Sequence, residues 1–272
     1  MRLLLIVFLG IFCLNSNYLL AADDEFDSEN FVASESEDGD DVMVTSGDDA
    51  TNLECQGISV EFNDGANPIA VNNFDIAGIM LGMSFEDVMS VVRDNGLYSP
   101  IKKNSVVYSI HQDWKYNLDY ECRQSKVFAP AALERCINSL ARNRGVLYAS
   151  ELHLERVLTG ETIDVFFTSN ATDNVVWKIV YRNDVDEIEG DDEKFANQRD
   201  KKIMAFWQNV LDKYGSPNAG DDKWASSDTT YDPTMTAYFG ELELTDCGNK
   251  NEDAAINIQQ ANDNFIAKPY AF

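Results

Sequence analysis

The chain predicts an α+β fold in which short helices pack on an antiparallel sheet, built as two successive helix-then-strands units. Three observations carry this expectation. Between residues 146 and 182 apolar residues recur at every second position, in three runs divided by short turns. Residues 130–143 and 196–214 place apolar residues at helical spacing, with Gly145 and Gly215 just beyond their ends. A helical pattern followed by strands occurs twice along the chain, which divides it into units at 55–183 and 184–272.

In chain order, residues 55–72 read as an extended entry segment with a turn at Asn63-Asp64-Gly65 that suits a hairpin. Residues 78–96, GIMLGMSFEDVMSVVRDNG, begin as a short strand-like run and turn at Gly82 into a helix. Ser84 is its N-cap, Asp87 can complete a capping box, and Gly96 ends it. Phe85, Val88, Met89, Val91 and Val92 form its apolar face. Residues 98–128 mix aromatics with charges and predict a strand or two with long loops. The next helix opens on Pro130, which fits a first turn, and puts Leu133, Cys136, Ile137 and Leu140 on one face.

The alternating region follows as a three-stranded meander. Leu152 and Leu154, then Ile163, Val165 and Phe167, then Val175, Trp177, Ile179 and Tyr181 form the face that packs on helices. The second long helix carries Ile203, Phe206, Trp207, Val210, Leu211 and Tyr214, and Gly215-Ser216-Pro217 stops it. Residues 235–239, 242–244 and 256–258 predict three shorter strands.

Residues 1–22 have the layout of a cleaved secretory signal peptide: Arg2, an apolar run from Leu3 to Leu14, and Leu20-Ala21-Ala22 before the first acid. Asn15, Ser16 and Asn17 interrupt the run, which falls short of the ~20 apolar residues of a membrane span. Residues 23–54 hold 13 acids and no base, a composition that predicts a disordered leader with no core to join. Beyond the signal stand four cysteines in a chain expected to be periplasmic or secreted, where disulfides persist. Loop length favours pairing Cys122 with Cys136 and Cys55 with Cys247.

The Gly-Met-Ser turn into a short helix, followed later by a hairpin ending in a Trp/Ile/Tyr strand, resembles the unit of the BamE-like outer-membrane assembly lipoproteins. Tandem versions of a similar module occur in the β-lactamase inhibitory proteins, which bind through an open sheet face. VLDKYGSPN is similar to a helix end in uncharacterised exported proteins of Alphaproteobacteria. The resemblance implies helices laid before a three-stranded antiparallel sheet. Two departures stand against carrying over a role in outer-membrane assembly: the family's lipidated cysteine is absent, and residues 97–145 are inserted between helix and meander.

A net charge of −26 leaves no basic face for nucleic acid. Zinc is excluded by the lack of a C-x-x-C pair and by the isolation of His111 and His153, the only histidines. The acidic run DVDEIEGDDE, residues 184–193, is where weak calcium binding would sit, although it lacks the alternating ligands of a calcium loop. No catalytic, cofactor or metal residue is therefore assigned. The leading expectation is a non-enzymatic exported protein that binds another envelope or secreted protein through the meander face carrying Phe166, Val176, Lys178 and Val180. One alternative is a secreted hydrolase using His111, near Ser109 and Asp113, or His153, between Glu151 and Glu155. The other is a purely structural domain.

Overall fold

The computed structural model describes residues 55–101, 105–183 and 193–265. The expected signal peptide, the acidic leader and residues 184–192 of the acidic run lie outside the described residues.

The architecture is α+β, with helices packed on one antiparallel sheet. A small hairpin, β1 (Asp75–Ile76) and β2 (Ile79–Met80), turns through Ala77 and Gly78, both at positive φ. It leads into α1 (Phe85–Asn95), whose start is fixed as the sequence implies. Ser84 Oγ accepts from the Asp87 amide at 3.2 Å, and the Asp87 carboxylate accepts from the Ser84 amide and hydroxyl. Gly96 ends the helix in the left-handed region at φ 60°. β3 (Ser99–Pro100) and β4 (Val106–Ile110) both pair with β5 (Leu147–Arg156). Between β4 and β5 lie α2 (Gln112–Gln124) and α3 (Pro130–Arg144).

β5, β6 (Glu161–Phe167) and β7 (Val176–Arg182) make the predicted meander. After α4 (Glu193–Tyr214) a second meander, β8 (Lys223–Ala225), β9 (Thr234–Tyr238) and β10 (Glu241–Thr245), joins it through a β7–β10 pairing. The strand order β3-β5-β6-β7-β10-β9-β8 thus seats two helix-then-meander sequences side by side. The main core lies on one sheet face, where Val88 and Val92 of α1 and Phe206 and Val210 of α4 meet Leu152, Leu154, Ile163, Val165, Ile179, Met235 and Leu244.

Four expectations are corrected. The turn at Asn63 exists, with the Ala66 amide donating to the Asn63 carbonyl, but it joins no hairpin. Its flanks bond instead to the 218–228 segment, through Val60 to Asp228 and Asn63 to Asn218. The region expected to be strand and loop contains α2, whose buried residues Trp114, Leu118 and Cys122 recur every four positions amid polar neighbours. Residues 256–258 are not a strand. They belong to α5 (Cys247–Asn264), capped by Asp246, and Ile258 is exposed while Asp253, Asn257 and Ala261 are buried. Finally, β7 carries a bulge: Phe166 faces Lys178 and Phe167 faces Val176, so Trp177 has no partner in the register. One extra residue exchanges the faces on either side of it. Val176 therefore joins Ile179 in the main core, and Trp177 turns to the opposite face beside Phe166, Cys55 and Cys247.

Both disulfides join the cysteines that loop length pairs. Cys122–Cys136 ties α2 to α3, with Cα atoms 6.1 Å apart, and Cys55–Cys247 ties the first described residue to the start of α5, at 5.1 Å. On a loop-entropy account the first bridge, spanning 14 residues, contributes about 3 kcal/mol and the second, spanning 192, about 5.

Candidate functional site

The sheet face expected to bind is not open in the way its sequence suggests. Val176 is in the core. Phe166 packs on Trp177 at 6.2 Å between ring centres, and Lys250 places its ammonium 5.2 Å from the indole. Lys178 pairs with Glu243 at 3.2 Å and lies over the Phe166 ring. Val180, only 2% exposed, is shut in between its cross-strand neighbours Asp164 and Glu243. The rest of this face is a ladder of ion pairs. Arg182 reaches Asp164 at 2.6 Å and Glu241 at 2.7 Å, while His153 bonds to Asp164 at 2.7 Å and lies 3.4 Å from Glu151. Each exposed pair of this kind stabilises by about 0–1 kcal/mol. Their charges are spent on one another, and the four predicted residues do not make one docking surface.

Among the described residues no hydroxyl or thiol is hydrogen-bonded to either histidine ring. His153 is held by carboxylates alone. His111, at the N-cap of α2, is largely buried, with Nδ1 3.2 Å from Asp113 Oδ2. The nearby hydroxyl of Ser169 is committed: Oγ donates to Asp253 Oδ1 at 2.6 Å and accepts from Asn257 Nδ2 at 2.7 Å and the Ala171 amide at 3.1 Å. With both lone pairs in use it is a structural tie between α5 and the β6–β7 loop, not a nucleophile.

Burial pushes the His111 pKa below its ordinary value, against the pull of Asp113 and Asp253 and together with the repulsion of Lys250. Between the folded and unfolded values the unfolded chain binds more protons. The contribution of His111 is thus fully present above about pH 6.5 and is lost as pH falls from there through its folded value. Thermal melts of wild type and His111→Gln from pH 7.5 to 5 test this. The wild type is expected to lose more of its melting temperature, and parallel curves would contradict the assignment.

The feature that sequence reasoning passes over is at one end of the sheet. β5 and β6 are joined by residues 157–160, where Leu158 is 94% exposed and Val157 75%. β9 and β10 are joined by Phe239-Gly240, a two-residue turn with both residues at positive φ, and Tyr238 and Phe239 are exposed there. Because Thr162, next to Glu161 at the start of β6, pairs with Arg182, and Arg182 faces Glu241, both turns project from the same end. Leu97 joins them: Ser99 of the edge strand β3 pairs with Glu155, so the chain just before it runs out at that end, exposed. Strand spacing of ~4.8 Å separates the two turns by roughly 14 Å, with β7 between the strands they join.

The second turn is strained. A phenylalanine at φ 43° occupies a position where Asn or Asp is preferred. Gly240 is required, since a Cβ there would overlap the Asn183 side chain. The Tyr238 and Phe239 rings meet edge to face at 4.3 Å. The strained turn presents an aromatic pair outward instead of burying it. The sequence signal was two apolar pairs, Val157-Leu158 and Tyr238-Phe239, each set against a glycine turn.

Among the described residues there is no cluster of three or more metal-ligating side chains, and no helix is long and apolar enough to cross a membrane. No protein family, curated protein or solved structure matches the chain.

Proposed function

We propose that the chain is an exported, non-enzymatic binding module that grips another protein with the turn-bearing end of its sheet. The observation that carries the reading is the gathering of Leu97, Val157, Leu158, Tyr238 and Phe239 at one end of one sheet. Single exposed apolar residues need no explanation, but several converging on two turns and an edge strand make a contact surface. Burying one such side chain in a partner contributes about 1.5–3 kcal/mol.

Charge chooses the partner. Arg156 and Arg182 at this end are engaged by Glu161 and Glu241, and Asn183 leads straight into the acidic run 184–193. A chain of net charge −26 is repelled by anionic lipid and nucleic acid, so the exposed aromatics are suited to a protein with an apolar recess inside a basic rim. Export rests on the N-terminal signal layout and on two disulfides, which persist in oxidising compartments. The BamE-like resemblance adds an analogy of fold, not of function.

The experiment is to isolate the partner from envelope or culture fractions, purify it, and measure its affinity by calorimetry. Leu158→Asp and Phe239→Asp are each expected to weaken binding by thirtyfold or more, the scale of a central contact residue. Affinity should fall as salt rises. Lys178→Ala and His153→Ala should leave binding within threefold. Binding indifferent to both turn variants would sink the proposal.

A further inference from the structure

Beyond the binding end, we infer a second site at the opposite end of the sheet: a cavity of about 490 Å³ built to take a small uncharged polyhydroxylated ligand, a mono- or disaccharide. It opens among α2, the end of α3, the β6–β7 loop and α5, and is lined by Trp114, Arg144, Asn170, Asn257, Gln260 and Asn264. The β6–β7 loop leaves the sheet at the end away from Leu158 and Phe239, so this site and the proposed protein-binding surface are separate.

Its chemistry follows from how the amides are pinned. Asn257, 3% exposed, spends its Nδ2 on Ser169 Oγ, Asp253 O and Asp253 Oδ1 at 2.7, 2.8 and 3.1 Å. Its Oδ1, fixed on the other side of the amide plane, accepts no bond among the described residues. Asn170 repeats the device, with Nδ2 donating to the Gly145 and Leu147 carbonyls at 2.8 and 3.1 Å. Asn264 donates to the Gln260 carbonyl at 2.8 Å. Asn257 and Asn170 thus have both donors used and their acceptors unused, and Asn264 keeps one N–H and its oxygen, without further ordering cost.

Trp114, 5% exposed, lines the cavity, and its Nε1 has no partner among the described residues. That nitrogen is itself closed to solvent, so an occupant of the cavity meets the Trp114 ring and not its N–H. Arg144 adds further donors, but its charge is balanced by an ion pair with Glu121, so the wall carries no net demand for an anion. None of the described residues lining the cavity is a carboxylate that could hold a cation. A hydroxyl both donates and accepts, and several on one small frame satisfy the pinned amide oxygens and the Arg144 and Asn264 N–H groups together. The volume lies within the usual range of small-molecule sites.

The full chain, with its disulfides intact, is titrated by calorimetry and saturation-transfer NMR with D-glucose, D-galactose, N-acetylglucosamine, maltose and trehalose, with citrate and spermidine as charged controls. At least one sugar is expected to bind saturably below 10 mM, roughly the limit for weak specific sites, while neither control competes. Asn257 also ties α5 to the loop, so the variants are placed at the rim. Gln260→Ala should weaken binding tenfold or more, and Asn264→Trp should abolish it, with the melting temperature unchanged. Failure of all five sugars, preference for citrate or spermidine, or binding that survives Asn264→Trp would each overturn the assignment. None of these outcomes bears on the turn variants at the other end.

Discussion

Trp224→Ala is expected to cost about 3–5 kcal/mol of stability, the range for emptying a large aromatic site in a packed core. Trp224 is fully buried on β8 among the main core residues, and its Nε1 donates to the Gly215 carbonyl at 3.1 Å. Truncation removes the ring and leaves the carbonyl at the end of α4 without that donor. Urea denaturation measures the effect. The midpoint should fall with the slope unchanged. A loss under about 1 kcal/mol would mean that the second meander does not share the main core.

Asp253→Ala should cost a similar amount, about 3–5 kcal/mol, through a different mechanism. One carboxylate oxygen accepts from the Ser169 amide at 3.0 Å, Ser169 Oγ at 2.6 Å, Thr172 Oγ1 at 2.8 Å and Asn257 Nδ2 at 3.1 Å. Asp253 is completely buried, so deleting it strands the Ser169 amide and hydroxyl and the Thr172 hydroxyl where water does not replace it. The same oxygen fastens α5 to the β6–β7 loop, and the expected local signature is faster amide exchange in residues 169–174 and in α5. Asp253→Asn, which retains one acceptor oxygen, should lose less than the alanine variant. Equal losses would show that the carboxylate is not the organising group.

These two residues also show what can be read from the chain. Period-two alternation delivered β5, β6 and most of β7, and caps delivered the ends of α1 and α3, because each rests on local rules of geometry. α5 escaped because its buried stripe is Asp253, Asn257 and Ala261, a helix face that hydrophobic spacing does not register. α2 escaped for a related reason: the apolar part of its buried face is one residue wide, with Asn117 buried beside it, and Tyr116 and Tyr120 lie outside it against Phe265. The bulge at Trp177 has no mark in the sequence, yet it moved Val176 and Trp177 to opposite faces and with them the expected binding face. The turn-bearing end needed the strand order, which places residues 97, 158 and 239 together and which no local pattern contains.

The most direct test of the binding account is site-specific photo-crosslinking. Benzoylphenylalanine is placed singly at Leu158, Phe239, Lys178 and Tyr116 in the full chain, which is then irradiated in the presence of the envelope or culture fraction. The account predicts that Leu158 and Phe239, on separate turns of one sheet end, crosslink to the same polypeptide, and that Lys178 and Tyr116 do not. Crosslinks to a protein from Lys178 or Tyr116, with none from either turn, would contradict it.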